Sequence, residues 1–181
     1  SNPVTPLEGI RQKLPQAEVM YSLGCEHAER LPTLEPIPAR VLFTDETLKE
    51  QGLKASYWDN NNWSGEPKYT RVDSNVDFYW WDKAPYEDLD DDNFSARWTG
   101  YLVVPETGEY AIGGDGMYHY EVKLNDNVMA SHRSEHHGVK KFTYLNLEAG
   151  KPYKLEVNFA ELVGDANISL LWSMPRKNLE Q

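Results

Sequence analysis

Asp115, Tyr118 and His119 stand close together in Gly113-Gly114-Asp115-Gly116-Met117-Tyr118-His119. A carboxylate among glycines suits a cation or a sugar hydroxyl, because glycine lets backbone and ligand approach closely. The same pattern is also ordinary turn chemistry. Tyr118 and His119 follow on what would be the same rim. Trp63 and the pair Trp80-Trp81 are candidates for stacking on a sugar ring. The structural reading of each is core packing, since large aromatics dominate interiors. Strand neighbours face opposite ways, so at most one of Trp80 and Trp81 is expected in a given core, leaving Trp81 as the candidate surface aromatic.

His132, His136 and His137 cluster in Ser-His-Arg-Ser-Glu-His-His-Gly. The first two have the spacing of a zinc pair on a helix, but Gly138 and a hairpin context point to a loop. His136 and His137 are therefore read as rim residues that reach a sugar or a partner domain. Asp88, Asp90, Asp91 and Asp92 form an oxygen-rich run of the kind calcium prefers. It lacks the glycine and distal glutamate of a calcium-binding loop, and position twelve counted from Asp88 is Thr99. A solvated loop is the expectation. No nucleotide-binding loop or Ser-His-Asp pattern is present. With 29 Asp and Glu in the chain, no carboxylate pair can be singled out for glycoside chemistry. No catalytic residue is assigned, and Asp115 is only a weak metal candidate.

The elements that must position these residues read as antiparallel strands. Phe94, Ala96, Trp98, Gly100 and Leu102 alternate with Ser95, Arg97, Thr99 and Tyr101, the period of a half-buried strand. Pro105-Glu106-Thr107-Gly108 closes it as a turn with a glycine suited to positive φ, and Tyr110 and Ile112 begin the return. Gly113 to Gly116 reads as a tight surface corner. Tyr118, Tyr120, Val122 and Leu124 alternate next, and Asn125-Asp126-Asn127 suits a hairpin turn. Further strands are expected at Val41–Phe43, Leu53–Trp58, Lys140–Leu147, Tyr153–Phe159 and Ile168–Trp172. Asn60–Gly65, Tyr86–Asn93 and Glu161–Asn167 read as loops, and Asp45–Gln51 as a helical turn. The total is about 8–10 strands, mainly β: an antiparallel sandwich or barrel.

The amino-terminal stretch differs. Thr5-Pro6-Leu7-Glu8 is a capped helix start, Leu7, Ile10 and Leu14 share a face, and Pro15 ends it. Ala17–Leu23 then reads as a strand without a partner, so residues 1–30 are expected to be a fragment of a neighbouring α/β domain. Residues 31–51 open with three prolines in Leu31–Pro38 and read as a linker. Residues 52–175 are the expected sandwich and 176–181 a tail.

A chain of 181 residues with 40% hydrophobic content builds a real core. No apolar run approaches the ~20 residues of a membrane helix. Cys25 is the single cysteine, which excludes an internal disulfide. The net charge of −11 argues against nucleic acid as a partner. The opening Ser1-Asn2 fits a tag remnant, so localisation is not legible from the residues.

The central stretch resembles the protective-antigen, or PA-fourteen, domain family. Phe94 to Gly100 is similar to its RWxG strand, Thr107-Gly108-Glu109-Tyr110 to its TGxY return, Gly114 to Asn127 to its DDG hairpin, and Tyr153–Phe159 with Asn167–Trp172 to its closing pair ending in LxW. The resemblance implies a β-sandwich. In the family's calcium-dependent lectin branch two adjacent aspartates hold the ion. Here the first is Gly114, which leaves only Asp115, so no cofactor is expected and calcium-dependent sugar binding is placed in doubt. A second resemblance, carried by Thr5–Ile10, Ala17–Tyr21 and Gly24-Cys25, is to family 3 glycoside hydrolases at the point of their α/β-sandwich domain where such a module is inserted. It implies a non-catalytic slice of a periplasmic or extracellular β-glucosidase-type enzyme, whose catalytic groups lie elsewhere in the polypeptide. The expected partners are β-linked gluco- or xylo-oligosaccharides and the catalytic domains of the same polypeptide, with no membrane contact. Two alternatives stand beside it, an autonomous carbohydrate-binding module and a structural or dimerising domain.

Overall fold

The structure, a computed structural model, describes residues 12–14, 32–81, 83–134 and 137–175. The chain divides into two units, Ser1–Pro32 and Thr33–Gln181, and every strand described lies in the second. Apart from residues 12–14, the helix and strand expected over residues 3–25, together with Cys25, His136 and the 176–181 tail, lie outside the described residues.

The second unit is an antiparallel β-sandwich. Its strands are β1 (Glu35–Pro36), β2 (Leu42–Phe43), β3 (Leu53–Trp58), β4 (Tyr69–Asp73), β5 (Asp77–Trp80), β6 (Ser95–Val103), β7 (Gly108–Gly116), β8 (His119–Leu124), β9 (Asn127–Arg133), β10 (Val139–Leu147), β11 (Pro152–Ala160) and β12 (Ala166–Ser173). One sheet runs β1-β12-β7-β10, with β5 also paired to β12. The other runs β4-β3-β6-β11-β8-β9, with β2 beside β6. The chain changes sheets between β6 and β7 and again between β7 and β8, so the turns at those points set how the layers close.

The alternation in β6 has the expected consequence. Ala96, Trp98 and Leu102 are fully buried, and they meet Tyr110 and Ile112 of β7, Tyr120 and Val122 of β8, and Leu155, Val157 and Phe159 of β11 in one core. Trp98 lies at its centre, stacked on Phe78 at 5.6 Å and edge-on to Tyr57 at 5.9 Å. Its indole N–H must find an acceptor there, since an unmet buried donor is costly. It donates to Asp73 Oδ2 at 2.8 Å, the same oxygen that accepts the Tyr57 hydroxyl at 2.5 Å. Arg71 donates from Nε to Asp73 Oδ1 at 2.5 Å and from Nη2 to the Tyr57 oxygen at 3.0 Å. Burial, then the Asp73 carboxylate, push the Tyr57 hydroxyl's pKa well above its ordinary value. The tryptophan of the RWTG run is thus the apolar centre of the fold and one of three donors that hold a buried carboxylate.

The turns show where glycine is needed and why. Asn125 and Asp126 both adopt left-handed φ, 48° and 65°, in the tight β8–β9 hairpin, the geometry a two-residue loop favours. At the β6–β7 turn Tyr110 donates its hydroxyl to the Glu106 carbonyl at 2.8 Å, pinning the corner. Gly108 does not take positive φ there; a Cβ on it would meet the Pro175 ring at 2.7 Å.

Gly113 to Gly116 is not a surface corner. It continues β7 between β12 and β10 in the middle of a sheet. The glycines answer close approach: a Cβ on Gly113 would lie 1.9 Å from the Lys141 carbonyl oxygen, and one on Gly114 3.0 Å from the Tyr120 ring. The corner itself comes at Met117-Tyr118, where Tyr118 takes φ 57°. The stretch expected as a linker also departs from its reading. Residues 35–43 lay β1 and β2 on the sandwich and bury Ile37, Val41 and Leu42. Asp45–Gln51 holds no helix. Asp45 Oδ1 accepts the Thr47 N–H and hydroxyl, and Leu48 turns into left-handed φ.

Candidate functional site

One cleft of about 540 Å³ opens on the β-sandwich, lined by Asn61, Asn62, Trp63, His119, Arg133, Ser134, Ala160 and Leu162. Three elements build it: the loop after β3, the first residue of β8 with the end of β9, and the loop leaving β11.

The β3–β4 loop is shaped by its own asparagines. Asn60 Oδ1 accepts the N–H groups of Asn62 at 3.3 Å and Ser64 at 3.0 Å. Trp58 donates from Nε1 to the Gly65 carbonyl at 3.0 Å. These bonds carry Trp63 into left-handed φ, 55°, a conformation that an indole side chain adopts only when its surroundings enforce it. Trp63 is fixed further by donation from its Nε1 to the Ala96 carbonyl at 3.1 Å. Its ring meets His119 edge-to-face, centroids 5.5 Å apart and planes at 80°.

His119 starts β8 directly opposite Arg133 of β9. Burial, and after it the Arg133 cation, lower the imidazole's pKa below its usual value. At neutral pH it is an uncharged ring with one donor and one acceptor nitrogen. Around the cleft stand an indole, a neutral imidazole, a guanidinium, two side-chain amides and a hydroxyl. That set offers hydrogen bonds in both directions beside aromatic edges, the combination that orients a polar ligand with apolar faces.

Glu161 lies between the cleft residues Ala160 and Leu162 in sequence and is fully buried. Its Oε2 accepts the Asn93 N–H at 2.7 Å, while Oε1 has no partner. Burial, with Asp92 and Asp90 nearby, pushes its carboxyl up to about 7.

The other expected residues are distributed differently. Tyr118 adjoins His119, but its ring is buried and its hydroxyl donates to the Val163 carbonyl, so it ties the β11–β12 loop instead of forming a rim. Asp115 points from the outer face of β7 and pairs with Lys140 at 3.6 Å, on the sheet that does not carry His119. His132 lies within β9, not in a loop, and its Nε2 is 2.7 Å from the His137 carbonyl oxygen. His137 is exposed. Trp81 is 66% exposed just beyond β5, while Trp80 packs inward on Phe94 and Phe159. The acidic loop serves as a set of turn acceptors: Asp88 takes the Tyr69 hydroxyl, Asp91 the Ala84 N–H and Asp92 the Gly164 N–H. Among the described residues no group of three or more His, Cys, Asp or Glu is placed to hold a metal ion. Arg133, Ser134, Asn61 and Asn62 were not singled out from the sequence as site residues.

A family model described as the PA14 domain matches residues 49–181. The chain is 27% identical over 169 residues to Anti-sigma-I factor RsgI3 of Acetivibrio thermocellus, covering 91% of this chain and 25% of that protein. It is 31% identical over 111 residues to a Beta-glucosidase of Rhizobium radiobacter, covering 61% of this chain and 12% of that protein. The chain thus spans a quarter or less of these relatives. Among solved structures, a Beta-glucosidase from Kluyveromyces marxianus in complex with glucose shares the fold at TM-score 0.64 and 20% identity, over 97% of this chain and 22% of that one. A PA14 sugar-binding domain from an RTX adhesin shares it at TM-score 0.54 and 14% identity, over 67% of this chain and 89% of that one.

Proposed function

This chain belongs to the PA14 domain family, and on that premise we propose that it is a non-catalytic, carbohydrate-contacting module of a larger polypeptide. The larger protein in this reading is a family 3 exo-β-glycosidase of the β-glucosidase type. The module borders the active-site entrance and biases it toward short β-linked gluco- or xylo-oligosaccharides. The observation that carries the reading is the cleft, in which Trp63 and neutral His119 stand edge-to-face beside Arg133 and the Asn61-Asn62 amides. A pyranose presents the matching chemistry, an apolar ring face and a fringe of hydroxyls that both donate and accept.

Related segments accompany a β-glucosidase and an anti-sigma factor. Those two activities share no chemical step, which supports a binding role over a catalytic one. The relation to the anti-sigma factor over 91% of the chain also favours a second reading, an autonomous carbohydrate-binding module. The test is calorimetric titration of the chain with cellobiose and xylobiose, for the wild type and for Arg133→Ala. Saturable binding that the substitution weakens about tenfold, the loss of one charge-assisted hydrogen bond, supports the cleft. Binding that Arg133→Ala leaves intact moves the site elsewhere.

A further inference from the structure

The alternation of β5 leaves one feature that the cleft does not use. Phe78 and Trp80 turn inward and pack on the core. Tyr79 and Trp81 turn outward and are 58% and 66% exposed. Their rings meet edge-to-face, 5.8 Å apart with planes at 66°, so they form one exposed aromatic cluster at the sheet edge, which offers a sugar one ring to stack on and the other to abut. Polar groups border it. The Tyr79 hydroxyl lies 3.4 Å from Asp165 Oδ2, and Ser169 donates to Asp77 Oδ1 at 2.7 Å.

We propose that Tyr79 and Trp81 form a second carbohydrate-contacting platform, one that takes the apolar face of pyranose rings in a neutral polysaccharide. The proposal rests on reading the module as carbohydrate-contacting. The chemistry of the border selects the ligand. Asp77 and Asp165, on a chain of net charge −11, repel uronates and sulfated sugars but accept hydrogen bonds from neutral hydroxyls. The cores of protein–protein interfaces are depleted of charged residues, so carboxylates set against the rings favour sugar over a protein partner. The geometry selects a polymer. An open platform covers one face of a sugar and gives little affinity by itself, so it gains from a chain that engages several contacts at once. Asp165 lies on the β11–β12 loop, the same loop whose Leu162 lines the cleft. Platform and cleft therefore share a loop.

The test is affinity electrophoresis of the chain through gels containing hydroxyethyl cellulose or arabinoxylan, with polygalacturonate as the acidic control. Wild type is compared with Trp81→Ala and Tyr79→Ala, and circular dichroism checks the fold of each. In parallel, cellobiose is titrated while the His119 NMR signals are followed. The expected result is retardation by the neutral polymers alone, reduced about tenfold by Trp81→Ala, with cellobiose shifts at His119 unchanged. Equal retardation of wild type and Trp81→Ala overturns the platform, as does a wild type that neutral polymer does not retard. Self-association of the wild type that Trp81→Ala abolishes also overturns it, in favour of a protein contact. Polymer retardation without any cellobiose shift at His119 overturns the cleft reading and leaves the platform standing. Absence of both overturns both.

Discussion

Arg133 stands directly across the β8–β9 ladder from His119, and burial, with the guanidinium after it, disfavours the imidazolium. The sign follows from the causes. Both disfavour the imidazolium, so the His119 NMR titration is expected to have its midpoint below the ordinary 6.5. Arg133→Gln removes one cause, and the midpoint should rise while staying below that value, because burial is the larger contribution. A midpoint unmoved by Arg133→Gln would show that the cation does not act on the ring.

That pairing also shows what was legible in the sequence and what was not. The hairpin turn at Asn125-Asp126 was readable from residue type, since asparagine and aspartate tolerate left-handed φ. Counting back from the turn sets His119 opposite His132. A bulge between Val122 and Lys123 shifts the ladder by one and brings in Arg133 instead. A one-residue slip exchanges faces, and nothing in the residue types marks this bulge, so Arg133 was not seen as part of the site. Gly113 and Gly114 misled for a related reason. Glycine signals either a turn or a close approach, and only the Lys141 carbonyl and the Tyr120 ring reveal which. The alternation of β6, β11 and β12, by contrast, was plain, because both faces of a sandwich strand write their environment into every second residue. The proline-rich segment read as linker because its contribution to the core is confined to Ile37, Val41 and Leu42, too few to make a pattern.

Trp98→Phe tests the buried network. The substitution keeps an aromatic ring but removes one of the two donors on Asp73 Oδ2. A lost hydrogen bond to a buried charge, with a small cavity, is expected to cost about 3 kcal/mol, measured by urea denaturation. A cost near zero would mean that Tyr57 and Arg71 suffice for Asp73.

Gly113→Ala tests the close-approach account of β7. Its added Cβ would meet backbone, which cannot swing aside. A loss of about 3 kcal/mol or more is expected. A neutral effect would return Gly113 to the flexible corner its neighbours suggest.

Glu161 should give the fold a pH dependence near neutrality. Burial raises its folded pKa to about 7, above the 4.5 of an ordinary glutamate, so the folded state binds the proton more tightly. The stabilising contribution is complete below pH 4.5 and is lost as pH rises through about 7. Glu161→Gln keeps an acceptor for the Asn93 N–H without ionising. It should match the wild type at pH 4 and exceed it at pH 8, by up to about 3 kcal/mol. Parallel stability curves for the two proteins would contradict this.

In the proposed function a carbohydrate seats beside Trp63, His119 and Arg133 without a metal ion. A two-dimensional NMR titration of the chain with cellobiose and xylobiose, in the presence of calcium and of a chelator, tests it most directly. Saturable shifts at the Trp63 indole, His119 and Arg133 are expected, the same in both conditions. Shifts that appear only with calcium and centre on Asp115, or no shifts at all, would contradict it.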